Sequence, residues 1–189
     1  MNAFEPYWTE QIKLLEQIPL DTLNVILDIL ERARVERRHI FVFGNGGSAS
    51  TASHFAADLA KNTVRSHMPR FLVTCLNDNM ALFSAYANDD GYECVLAEPL
   101  ITLSEPGDVA LAISASGNSP NILRAVEAAN GRNLTTLGLA GMGGGKLKTL
   151  AQHTLVVPSN SYEHIEDLHL MVCHALIATI KARHPEAAP

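Results

Sequence analysis

The sequence predicts an α/β fold: a three-layer α-β-α sandwich on a five-stranded parallel sheet, preceded by N-terminal helices. Three observations lead there. Five short β-rich runs alternate with helical stretches along the chain. The longest apolar runs are only strand-length, as in a sheet covered on both faces. Turns rich in Gly, Ser and Asn follow the first and third runs, where a doubly wound sheet opens towards a ligand.

Residues 4–18 carry Ile12, Leu15 and Ile18 near helical spacing, and Pro19 breaks that segment. Asp21 is expected to cap a second helix, in which Leu23, Ile26, Leu27 and Leu30 recur with a helical period up to about residue 37. Both helices are apolar enough to need a large covering surface, their own domain or a partner subunit. Strands are expected at residues 39–43, 70–76, 109–113, 134–139 and 154–157. Helices are expected at residues 50–61, 79–87, 93–103, 119–130 and 146–151, and a long last helix at 162–183. Ser119-Pro120 suits an N-cap followed by the first helical position. Residues 141–145 read as a flexible glycine turn. They are not a nucleotide loop, because Leu147 stands where a magnesium-binding hydroxyl is required. Residues 184–189 read as a loose tail. The expectation is a single domain over residues 1–189: N-terminal helices at 1–38, an α/β core at 39–160 and a C-terminal helix at 161–183.

With 47% hydrophobic and 18% charged residues among 189, the chain can bury a core and is not of the disordered class. A net charge of −6, with no basic stripe, argues against nucleic acid as a partner. No run suits a membrane span, and the N-terminus lacks a basic-plus-apolar leader pattern. Cys75, Cys94 and Cys173 are odd in number and widely spaced, which points to packing thiols in a reducing, cytoplasmic setting.

Two turns suit a phosphate ester. Ser114-Ala115-Ser116-Gly117-Asn118-Ser119 joins a strand to a helix and carries three hydroxyls. Hydroxyls and free backbone N–H groups at a helix N-terminus attract an anion without a Lys or Arg. A capped turn that needs Ser and Asn for its geometry explains the same residues equally well. Gly44-Asn45-Gly46-Gly47-Ser48 lets backbone approach a ligand closely. It also matches a dinucleotide fingerprint, but the acidic residue expected about twenty positions on is missing. Separately, His54 and Asp58 lie four apart on one expected helix, and Glu166 and His174 eight apart on another. Two imidazoles and two carboxylates could hold zinc or a similar divalent ion if the helices met. Paired acids and histidines on helices are more often plain surface pairs.

At these residues the chain resembles the SIS-domain phosphosugar isomerases, and among them the phosphoheptose (sedoheptulose 7-phosphate) isomerases. Further motifs carry the likeness: His54-Phe55-Ala56, Ala87-Asn88-Asp89, Gly107-Asp108-Val109, and residues 165–174. The resemblance implies a homotetramer with active sites completed across subunits. It implies that Ser114, Ser116 and Ser119, with Ser48 and the backbone of Gly46, Gly47 and Ala115, hold the sugar phosphate. Asn45 and Asp89 would contact sugar hydroxyls. The family's metal and catalytic set falls on His54, Asp58, Glu166 and His174, with Glu166 also at the substrate. Three positions depart from the family: Asp58 stands for its glutamate, Glu166 for its glutamine and His164 for its arginine.

The implied reaction interconverts sedoheptulose 7-phosphate and D-glycero-D-manno-heptose 7-phosphate through an enediol. Asp58 or Glu166 would act as base, and His174 would move the oxygen-bound proton. The alternatives are an isomerase of another sugar phosphate and a non-catalytic SIS module, either one associating with the DnaA initiator or a sugar-phosphate sensor. The acid and histidine set favours the enzyme.

Overall fold

The computed structural model describes residues 2–185. Its sheet is five-stranded and wholly parallel, in the order β2-β1-β3-β4-β5. The strands are β1 (His39–Gly44), β2 (Leu72–Cys75), β3 (Val109–Ser114), β4 (Thr135–Ala140) and β5 (His153–Val156). The eight α-helices are α1 (Glu5–Glu16), α2 (Leu20–Val35), α3 (Gly47–Lys61), α4 (Met80–Asp89), α5 (Ala97–Leu103), α6 (Pro120–Gly131), α7 (Leu147–Leu150) and α8 (Tyr162–Arg183). The expected sandwich is therefore present.

Alternation along the strands makes the layers, because successive side chains point to opposite faces. Ile40, Val42, Leu111, Ile113, Leu137 and Leu139 meet α1, α2, α3 and α8 in one buried cluster. Phe41, Phe43, Ala110, Ala112 and Ala140 meet α5, α6 and α7 in the other. The chain leaves β1 towards β2 on one side and returns to β3 on the other. The sheet thus has its switch point between β1 and β3, where Gly44 lies opposite Ile113. Ser114 then lies opposite Ala140. Both candidate turns open at that crevice.

Local expectations differ from the structure in several places. Asp21 caps nothing: α2 starts at Leu20 after Pro19, and Asp21 sits in the first turn, where its charge suits the helix dipole. The helix expected from residue 50 begins at Gly47, so the glycine turn is shorter and supplies the first helical turn itself. The helix expected at 93–103 is a 3₁₀ turn at Tyr92–Cys94 followed by α5. Of the supposed loose tail, His184 is tied down. Its ring meets Glu31 at 2.8 Å, and its carbonyl accepts from Arg65 Nε at 2.6 Å. Residues 186–189 lie outside the described residues. On α1, Leu14 is buried, whereas Phe4, Trp8, Ile12 and Leu15 form an exposed stripe at helical spacing.

His169 on α8 is fully buried, and neither ring nitrogen makes a well-formed hydrogen bond, the Ala140 backbone offering only a weak one. Burial pushes its pKa down to about 4, against a weaker upward pull from the Ala140 backbone. The unfolded chain takes that proton near pH 6.5. Stability is therefore full above about pH 6.5 and falls as the pH drops towards 4. By pH 5 the loss is about 2 kcal/mol. Urea unfolding at pH 5 and pH 7.5 checks this: His169→Met should flatten the dependence, and an equally steep variant would refute it.

Candidate active site

The serine turn at 114–119 links β3 to α6. Ser119 is the N-cap residue and Pro120 follows at the start of the helix, but the Ser119 side chain makes no capping bond. Its hydroxyl is left for a ligand, which weakens the reading of a merely capped turn. Ser116 Oγ accepts from the Asn118 N–H at 3.2 Å, so its own hydroxyl hydrogen stays available.

The glycine turn at 141–145 is a back wall for this loop. The Leu147 N–H donates to the Gly117 carbonyl at 2.9 Å, and the Gly141 N–H to Ala115 at 2.9 Å. The Lys146 N–H donates to Asn118 Oδ1 at 3.1 Å. Gly117 has φ +61, and a side chain there would collide with the Gly144 carbonyl. A side chain at Gly145 would strike the Ser116 carbonyl. Far from being free, residues 141–145 are packed backbone to backbone, with a 3₁₀ turn at Met142–Gly144.

The N-termini of α3 and α6 converge on a cavity of about 110 Å³. Asn45, Ser48, Ser114, Ala115, Ser116, Ser119 and Glu166 line it, with Tyr162 at its edge. No Lys or Arg is among them; helix ends and hydroxyls supply the attraction for an anion. The Glu166 carboxylate lies over Gly47, where any side chain would collide with it. Gly47 opens α3, so this carboxylate meets the positive end of a helix. Two residues earlier on α8, His164 stacks on Tyr7 of α1 at 4.3 Å and pairs with Gln11 at 2.6 Å. Tyr7 also donates to Asp167 at 2.6 Å.

A second group forms where α3 packs on α8. His54 Nε2, His174 Nε2 and Asp58 Oδ2 stand 3.5, 3.6 and 4.0 Å apart. Edges of that size suit a nitrogen–oxygen triangle around an ion ligated at about 2.0–2.2 Å. Asp58 Oδ1 accepts from Asn62 at 2.6 Å, which fixes the carboxylate from behind. The imidazoles are about half exposed, leaving an open side for substrate. Adjacent Cys173 lies in the core cluster, where burial, with help from the Asp58 charge, pushes its thiol up to about 12.

The structure thus splits the four expected metal residues. Three share the α3–α8 cluster. Glu166 sits with the serines, because eight residues on a helix advance about 12 Å. Asp89 ends α4, exposed and accepting from Asn88, outside the serine cavity of its own chain. Gly46, at φ +53, lines a neighbouring cavity instead.

A family model for the SIS domain matches residues 7–141. The chain belongs to the SIS-domain family. Phosphoheptose isomerase 1 of Campylobacter jejuni is 35% identical over 182 residues, spanning 95% of this chain and 97% of that protein. A solved phosphoheptose isomerase from Neisseria gonorrhoeae superposes with TM-score 0.87 at 28% identity, over 94% of this chain and 96% of that one. One from Francisella tularensis gives 0.88 at 25%, over 96% and 100%. Membership therefore extends to the phosphoheptose isomerase branch. The structural matches reach α8, beyond the end of the family model.

Sequence reasoning missed several residues of this SIS site. Asn62 was detectable in principle, four residues after Asp58 on one helix face. Asn77 brackets Gly44, accepting from its N–H at 3.1 Å and donating to its carbonyl at 2.9 Å. Asn121 and Tyr92 hold the Asn45 side chain, and no local pattern announces them.

Gly117→Ala is expected to cost roughly 2 kcal/mol, from the positive φ and the collision together. Gly131→Ala, where a side chain meets nothing, should stay within about 0.5 kcal/mol. Thermal melts of the two variants compare them directly.

Proposed function

We propose that this phosphosugar isomerase interconverts sedoheptulose 7-phosphate and D-glycero-D-manno-heptose 7-phosphate. One observation carries the reading: a serine-lined anion cavity and a histidine–carboxylate triangle share the same two helices. Ser48 and His54 are six residues apart on α3, roughly 9 Å of rise, the scale of an extended sugar chain. The phosphate end would sit on Ser48, Ser114, Ser116 and Ser119, with Ala115 and the glycine backbone beside it. The reacting end would lie at the triangle.

Asp58 is then the better-placed base, since Glu166 lies at the phosphate end. It takes a proton from C1 of the ketose, and the electron pair forms the C1–C2 double bond. The C2 oxygen gains a proton to complete the enediol. Loss of the O1 proton and return of a proton to C2 give the aldose. His174 moves the oxygen-bound proton. His54, Asp58 and His174 also suit a divalent ion such as zinc; bound by Asp58 Oδ2 and the two Nε2 atoms, it would supply the positive charge at the developing enediolate oxygen in place of the His174 proton, leaving the other Asp58 oxygen as base. Glu166 would orient the phosphate end. The same triangle supports an enzyme over a non-catalytic sensor, which needs no base.

The exposed stripe of Phe4, Trp8, Ile12 and Leu15 supports association of copies, a homotetramer in the expected form. A neighbouring copy would then bring its Asp89 to the sugar. Three unpaired buried cysteines suit a reducing cytoplasm. Among the described residues no helix is long and apolar enough to cross a membrane.

His174→Gln should lower kcat at least about 100-fold at an unchanged melting temperature. A chelator should abolish aldose formation from sedoheptulose 7-phosphate, and added zinc restore it. Undiminished turnover in the variant would refute the assignment of His174. Light scattering should show Trp8→Glu shifting the protein to a smaller species; an unchanged mass would rule out the α1 stripe as the interface.

A further inference from the structure

Asn45 follows the last residue of β1 and stands between two cavities. One is the serine cavity; the other, about 390 Å³, is bounded by Ser50, Ser53, Asn77, Phe83 and Tyr92. Its amide is held on both sides. Asn45 Nδ2 donates to Asn121 Oδ1 at 2.9 Å, and Asn121 Nδ2 returns a bond to Asn45 Oδ1 at 2.8 Å. Tyr92 Oη donates to the same Asn45 Oδ1 at 3.0 Å. Asn121 is buried at the start of α6, two residues after Ser119. Tyr92 is half exposed, with its ring against the edge of Phe83 at 5.8 Å.

Counting groups decides what Asn45 offers a ligand. Its oxygen has two lone pairs, and both are used. Its nitrogen has two hydrogens, and one is used. Turning over both amides would preserve the reciprocal pair, but the phenol would then have to accept, its weaker role. We infer that Asn121 and Tyr92 are positioning residues that lock the Asn45 amide with a free N–H towards the serine cavity, so that Asn45 serves there as a donor to a sugar-phosphate oxygen. Asn121 aligns the amide, and Tyr92 sets its polarity. The same pair ties the glycine turn after β1 to the start of α6, so the two anion-facing loops move as one piece. This inference rests on the serine cavity being the phosphate end of the substrate site.

Steady-state kinetics with sedoheptulose 7-phosphate test it. Tyr92→Phe keeps the ring and removes the hydroxyl, and should raise KM about 3- to 10-fold with kcat within twofold and the melting temperature unchanged. Asn45→Ala should raise KM as well, and in that background Tyr92→Phe should add nothing, since Tyr92 acts through Asn45. An undiminished Tyr92→Phe effect in the Asn45→Ala background would mean that the phenol works elsewhere and would overturn the inference. An unchanged KM in Tyr92→Phe, with Ser116→Ala raising it, would sink this inference alone. Unchanged KM in both Ser116→Ala and Asn45→Ala would remove the phosphate reading of the cavity, and this inference with it.

Discussion

The packing of α3 against α8 is the constraint on which the site depends. Phe55 and Leu59 from α3 and Leu168, Val172 and Leu176 from α8 lie in one buried cluster with Ile40, Val42, Leu111 and Ile113 of the sheet. Each such side chain brings about 1.5–3 kcal/mol by leaving water. Burying those faces leaves His54 and Asp58 on the flank of one helix and His174 on the flank of the other. The triangle is a by-product of core packing, and its open side follows from its place at the surface of that packing.

The serine-lined cavity has no cationic side chain in its wall. Two helix N-termini point into it, and they are not equivalent. The α3 end faces the Glu166 carboxylate, whereas the α6 end is surrounded by hydroxyls from Ser114, Ser116 and Ser119. A phosphate dianion pressed against Glu166 would meet repulsion, so the arrangement centres it on the α6 end, with Ser48 of α3 at its flank. The glycine turn at 141–145 braces α6's loop, most closely where Gly117 faces the Gly144 carbonyl and Gly145 the Ser116 carbonyl, two places with no room for a side chain.

Much of this was legible in the sequence. Strand-length runs, helix periods and the two turns led to the sandwich, because apolar periodicity reports directly on burial. Boundaries were less legible: Pro19 rather than Asp21 precedes α2, and α3 starts inside the glycine motif, since backbone geometry there is set by tertiary contact. The turn at 141–145 was misjudged for a related reason. Glycine looks identical in sequence whether it permits motion or permits close approach, and here it does the latter. Within one chain Glu166 stands with the serines rather than with the triangle, since the eight-residue step to His174 advances about 12 Å along α8. Asn121 and Tyr92 escaped notice because their partner is 76 and 47 residues away.

Helix α1 has two working sides. Tyr7 and Gln11 grip the first two turns of α8 through Asp167 and His164, within a turn of the carboxylate that borders the serine-lined cavity. Trp8 and Ile12, on its outer side, remain largely open to solvent, with the Trp8 ring edge-on to Tyr7 at 5.4 Å. Any body that seats on that outer side presses on a rod whose inner side braces the pocket's rim. Under the association proposed for α1, interface and pocket would share a single mechanical part, joined by a pair of short polar bonds and one stacked ring.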